Sequence, residues 1–251
     1  VDTNLLHLGA LALVGVLSAA INTVAGGGSF ITLPALMALG LPIAEANATN
    51  RLGVLLQAGS ASLTFRSAGA LPTGFAWTTL APTLVGSLLG ATLSITLDEA
   101  VVRAVIGVAM LLMLALMMLG PERWLRERPE AASVGRLSQA LAFFGMGVYG
   151  GFLQAGVGIF LMGGMVMLSG LDLKRANALK SLLVTLLTVP ALLVFLPAGL
   201  VRWPEGLTLG ISSALGGWIG GLITLRVGPR ALRATLIVVI LTTATKLFGL
   251  W

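Results

Sequence analysis

The sequence predicts an all-α polytopic membrane protein made of two inverted-topology repeats with glycine-broken helices, about 8–10 membrane segments in all. Three observations predict it. Hydrophobic residues make up 57% of the 251 positions and charged residues only 10%, against about 25% charged in soluble domains. Mean hydropathy is +1.02. Apolar runs approach the roughly 20 residues that a helix needs to cross a bilayer, with none of the alternating strands of about 10 residues that build a barrel. Finally, Ala25-Gly26-Gly27-Gly28-Ser29-Phe30 is echoed without a gap 130 positions later by Ala155-Gly156-Val157-Gly158-Ile159-Phe160.

The elements follow in order. Segment a (5–21) ends at Asn22-Thr23 and the first glycine break. It lacks a basic leader and a small-residue cleavage site, so a retained segment is expected rather than a signal peptide. Segment b (30–39) is too short to cross a core of about 30 Å as a helix. Segment c (46–65) ends at Arg66, and segment d (73–97) opens after Pro72, which suits a first helical turn. Segment e (101–119) opens after Asp98-Glu99, a favourable cap and dipole match, and stops at Gly120-Pro121. The charged stretch 121–136 follows as a linker. Segments a′ (137–153), b′ (160–168), c′ (176–196), d′ (205–225) and e′ (231–248) then repeat the pattern. The expected division is a first membrane repeat at 1–120, a cytoplasmic linker at 121–136 and a second repeat at 137–251.

The offset of 130 persists well beyond the motif, through Gly40/Gly170, Asn47/Asn177, Phe65/Phe195, Gly69/Gly199, Gly86/Gly216 and Gly90/Gly220. Loop charge relates the copies to each other. Lys174, Arg175, Arg226, Arg230 and Arg233 mark second-half loops whose first-half equivalents carry Glu45 or Asp98-Glu99. The positive-inside rule places these equivalent loops on opposite faces, which makes the repeats inverted. Each half then holds an odd number of crossings. Five crossings satisfy this, as do three crossings with a re-entrant a–b hairpin, and both put the chain ends outside.

Two groups of residues are candidates for a binding site. The breaks at Gly26, Gly27, Gly28 and at Gly156, Val157, Gly158 interrupt helices where every freed amide needs a partner. A new helix N-terminus aimed at an anion would satisfy those amides; close helix packing is the alternative. The second group is Asn47, Asn50 and Arg51 with Asn177 and Lys180, set one to two turns inside apolar helices. A cation there is expensive unless it is paired, ligand-bound or facing water, or snorkels to the interface. Asn22 and Gln154, just before the breaks, face the same choice. Gly86/Gly90 and Gly216/Gly220 read as helix contacts. Gly145-x-Gly147-x-x-Gly150 has the letters of a dinucleotide fingerprint without its βαβ context, so it reads as packing.

Other classes are excluded on composition. No cysteine is present and His7 is the only histidine, so thiolate or multi-histidine metal sites cannot form. Ser29 has no base near it in the sequence, so no enzyme is expected. No cofactor motif is present. The net charge of +6 sits in loops and reads as topology, not as nucleic-acid binding. The expected partners are the lipid bilayer and a small anionic substrate.

The pattern AGGGSF–ITLPAL, its second copy AGVGIF with GLDLKRANALKSLL, and the later AGLVRW resemble the TauE/SafE family of sulfite exporters from about Val16 to Leu247. The resemblance implies a small polytopic carrier of the plasma (inner) membrane for sulfur-containing anions such as sulfite, thiosulfate or organosulfonates. Gly26–Gly28, Asn50, Gly156–Gly158 and Lys180 fall on the family's recurrent motifs. Val157, where the first copy has Gly27, makes the half-sites unequal. With no nucleotide-binding motif, the energy source is expected to be the membrane potential, with proton coupling optional; a channel and an uptake carrier are the alternatives.

Overall fold

The computed structural model describes residues 2–72, 77–98, 100–101 and 135–227. Segment e beyond Val101, segment e′ and all but the last two residues of the 121–136 linker lie outside the described residues. Those described form eight helices: α1 (Asp2–Ala25), α2 (Ser29–Ala38), α3 (Ile43–Ser67), α4 (Trp77–Thr96), α5 (Arg136–Phe152), α6 (Val157–Ser169), α7 (Leu173–Phe195) and α8 (Trp203–Arg226). They correspond to a–d and a′–d′. Among them α1, α4, α7 and α8 are long and apolar enough to cross a membrane.

Several boundaries differ from the sequence reading by one to four residues, and three are instructive. α1 continues past the expected end at Ile21, so Asn22 and Thr23 are still helical. α3 begins at Ile43, three residues early, because Pro42 in extended conformation is its N-cap. α7 also begins three residues early, at Leu173, where the Asp172 carboxylate caps the helix by accepting from Arg175 N at 3.0 Å. The two starts are again 130 apart. So are the left-handed glycines of the described turns, in the pairs Gly26/Gly156, Gly40/Gly170 and Gly69/Gly199. The repeat is thus written into backbone conformation as well as composition.

Contact order along each interface gives the running sense of the helices. On the α1–α8 interface Gly216 faces Val16 and Gly220 faces Ala20; on the α4–α5 interface Gly86 faces Phe144 and Gly90 faces Val148. Both pairs therefore run parallel. The equivalent helices α3 and α7 run antiparallel: Arg51 lies over the Phe195 ring, Gly59 faces Thr185, and Phe65 clusters with Ala178. The glycines let backbones approach to the point where an added Cβ would strike a facing carbonyl, that of Val16 for Gly216 and that of Phe144 for Gly86. Apolar burial drives little association inside lipid, and such close approach replaces it. Gly147 joins this packing against Thr83, whereas Gly145 meets nothing within 4 Å.

α1 and α3 both run parallel to α8, with Gly206 of α8 beside Leu52 and Gly221 beside Thr64. The short α2 therefore returns the chain towards the side from which α1 entered. Its 10 residues rise roughly 15 Å, half a bilayer core. α5 and α6 form the second hairpin, and the tips meet: a Cβ on Gly26 would lie 3.1 Å from Ile159 N. The outer faces suit lipid. The equivalent residues Leu63 and Leu193 are 68% and 67% exposed. At one end Arg202 pairs with Glu45, whose hydrogen bond and charge hold the guanidinium above its usual range. Lys174 Nζ donates to Leu225 O at the base of α8.

Candidate functional site

Breaking a helix inside a membrane strands its last carbonyls, which have no intrahelical partner. Each half solves this with a cation from the other. Arg51 on α3 donates through Nη1 to Gly150 O at 2.8 Å and through Nη2 to Gly151 O, while Asn47 Nδ2 donates to Phe152 O at 2.8 Å. Tyr149 O takes Leu153 N at 2.9 Å, so the last four carbonyls of α5 are all satisfied. Lys180 on α7 reciprocates, donating from Nζ to Asn22 O at 3.2 Å and to Thr23 O at 3.0 Å near the end of α1. Positive charge at a helix C-terminus also complements the macrodipole. Neither cation snorkels. Arg51 is 0% and Lys180 2% exposed.

The two break turns differ. In the first, Gly28 N donates to Asn22 Oδ1 at 3.0 Å, Asn22 Nδ2 to Gln57 Oε1 at 2.6 Å, Gln57 Nε2 to Thr23 Oγ1 at 2.9 Å, and Thr23 Oγ1 to Ala19 O at 2.9 Å. Every amide in that relay is used at both ends. In the second, Ala155 N donates to Leu153 O at 2.8 Å, closing a three-residue turn about Gln154, whose φ is 65°. Gln154 is the only non-glycine residue with positive φ among those described. Tyr149 Oη braces this turn by donating to Ala155 O at 2.6 Å, and its ring meets Phe160 edge to face.

Between the tips lies a cavity of about 10 Å³, room for about one water-sized species. Of the residues expected from sequence, Asn22, Gly26, Gln154, Val157, Gly158 and Lys180 form its wall, together with Ser29, Gln57 and Ser181. The N-terminal residues of both returning helices, Ser29 and Val157, therefore reach it. No carboxylate is among its lining residues. Gly28 and Asn50 line an adjoining crevice with Asn22, where Asn50 Oδ1 accepts from Thr32 Oγ1 at 2.6 Å.

The other expected residues stand off the wall. Gly27 lies in the turn, its carbonyl accepting from Phe30 N at 3.1 Å, and Gly156 is the left-handed residue before α6. Arg51 is engaged with α5. Asn177 is wholly buried with neither amide atom hydrogen-bonded. Its first-half equivalent Asn47 bonds Phe152 O, but the matching carbonyl, Asn22 O, is taken by Lys180. Thr23, Gln57 and Thr188 were not singled out by sequence. Gln57, an amide midway along an apolar helix, carried the legible signal.

Chemically the cavity offers an ammonium, two helix N-termini, side-chain amides and hydroxyls, and no His/Cys/Asp/Glu group that could hold a metal ion is present among the described residues. Two broken helices meeting tip to tip around a polar cavity define a helical membrane protein of transporter architecture. The chain belongs to the sulfite exporter TauE/SafE family, which matches residues 11–247. It is 31% identical to the probable membrane transporter protein YfcA of Escherichia coli K12 over 96% of this chain and 90% of that protein. It is 29% identical to the probable membrane transporter protein ORF9 of a Sinorhizobium species, over 91% and 87% of the two chains. A probable membrane transporter protein of Haemophilus influenzae is 27% identical over 90% and 88%. No solved structure matches significantly. Family and relatives alike support a membrane transporter.

Proposed function

We propose that the chain is a secondary transporter that exports a small sulfur-containing anion, such as sulfite, thiosulfate or an organosulfonate, across the plasma (inner) membrane. The observation that carries this reading is the cavity between the hairpin tips, walled by Lys180 and by the N-termini of α2 and α6, with no acid among its lining residues. Lys180 Nζ spends two donors on the α1 carbonyls, leaving its third for a ligand. At about 10 Å³ the cavity has room for less than an oxyanion. Passage then requires the two hairpins to move apart, which favours a carrier over an open channel. An inside-negative potential favours anion export by about 2.3 kcal/mol per charge per 100 mV, so a uniporter suffices without proton coupling.

The same reading includes inverted repeats in a multi-pass arrangement, with the 121–136 linker inside. The antiparallel α3–α7 register and the Arg202–Glu45 pair between loops of the two halves support it. Two experiments test these points. Labelled sulfite, sulfate and sulfoacetate should enter reconstituted vesicles saturably, faster when a potential draws anions in; a non-saturating current would establish a channel instead. On this cysteine-free background, Ala68→Cys should label only from the inner face and Ala198→Cys only from the outer. Labelling from one face would overturn the inversion.

A further inference from the structure

Three side-chain amides line the cavity: Asn22, Gln57 and Gln154. The first two are spent on each other, on Gly28 N and on Thr23. Gln154 is not: its Nε2 donates to Thr188 Oγ1 at 2.7 Å, but its Oε1 is buried without a hydrogen-bond partner. Thr188 fixes which end is left over. Its hydroxyl gives its single proton to Val184 O at 2.6 Å, so towards Gln154 it can only accept. Gln154 is a residue of the cavity wall and Thr188 is not, so the unpartnered oxygen is the end of the amide left for an occupant of the cavity. The backbone holds the side chain there through a left-handed conformation that a glutamine adopts rarely.

We propose that Gln154 Oε1 is a selectivity element that accepts a hydrogen bond from the transported anion. The site therefore prefers sulfur oxyanions that carry an O–H or N–H, such as hydrogen sulfite or an amino- or hydroxysulfonate, over those that can only accept. This rests on the transporter reading above and narrows its substrate class. Lys180 and Gln154 line the same cavity, so an anion admitted as the hairpins part meets both. It must accept from the first, and any oxygen lone pair pressed against the second leaves two acceptors facing with no proton between them. Selection by an unmatched buried group is steep because the loss is that of a desolvated polar atom with nowhere to turn.

Amidosulfonate and methanesulfonate make a clean probe pair. They share shape and single charge and differ in an NH₂ against a CH₃. Each is titrated as a competitor of labelled sulfite uptake into vesicles carrying the full chain. Amidosulfonate should compete roughly 10- to 100-fold more strongly in the wild type. Gln154→Met should erase the preference, and Thr188→Val, which frees the amide, should weaken it. The wild-type comparison needs no variant to fold. Equal competition by the two probes, with sulfite uptake still saturable, overturns the donor requirement and leaves the transporter reading standing. Sulfite uptake that does not saturate overturns both.

Discussion

The two hairpin tips hold equivalent positions in the repeat, yet they treat their polar groups differently. The α1–α2 tip is closed. Asn22, Gln57, Thr23 and Gly28 N consume one another in a relay that ends on Ala19 O. The α5–α6 tip is open, with Gln154 in a left-handed conformation and its Oε1 unpartnered. The cations divide the same way. Arg51, which serves the second tip, is fixed by two carbonyls and the Phe195 ring 4.8 Å away, while Lys180, which serves the first, also lies on the cavity wall. The first tip spends its polar groups on its own structure, while the second leaves Gln154 Oε1 unspent.

The sharpest way to break that comparison is at Gly28 and Gly158, which are 130 apart. Gly28 has φ −60°, which any residue adopts, so only space restricts it. An added Cβ would collide with Ser18 O and lie 2.5 Å from Asn22 Cβ, whereas on Gly158 it would lie 3.2 Å from the flexible Lys180 Cδ. Gly28→Ala should destabilise by more than about 3 kcal/mol and lower the yield of folded protein. Gly158→Ala should fold normally and change the sulfite KM. Thermal unfolding in detergent and vesicle uptake separate the two outcomes.

A second contrast concerns the cations. Arg51→Met strands Gly150 O and Gly151 O and should destabilise by about 3 kcal/mol. Arg51→Lys should recover little of this, because a single ammonium cannot reproduce the fork. Lys180→Met strands Thr23 O and should lower the unfolding temperature, by less than Arg51→Met, and lose anion affinity. Unchanged affinity would make Lys180 a cap and nothing more. The smallest expected difference is between Gln57→Leu, which leaves Asn22 and Thr23 without their partner and should cost about 1–3 kcal/mol, and Gln154→Met. The latter removes one side-chain bond and should cost about 0.6 kcal/mol, typical of such bonds in membranes. Equal losses would erase the distinction between the tips.

The segment order, the two breaks and the repeat were legible in the sequence because glycine punctuation and apolar run length are local signals. The helix starts at Ile43 and Leu173 were missed by three residues, because Pro42 and Asp172 act as caps beyond the apolar runs. The breaks and the polar patches were read as belonging together, and the structure brings six of those residues, Asn22, Gly26, Gln154, Val157, Gly158 and Lys180, to one cavity. What the sequence could not show is who serves whom. Arg51 reaches Gly150, 99 residues away, and Lys180 reaches Asn22, 158 residues away, and no periodicity encodes such a pairing. Thr23 and Thr188 escaped notice because a helical threonine bonding to the carbonyl four residues back looks ordinary until an amide arrives at its oxygen.

The cross-bracing has a consequence for biogenesis. The α1–α2 hairpin is synthesised first, but the ammonium that completes the end of α1 lies 158 residues further along the chain. At translation rates of about 5–20 residues per second, the ribosome needs roughly 8 to 30 s to reach it. During that interval Asn22 O has only Gly26 N and Thr23 O lacks its partner from α7, and in hydrocarbon an unpaired carbonyl is costly. The nascent hairpin is therefore expected to wait in a water-accessible part of the insertion machinery and to settle to its final depth only after Lys180 has been made.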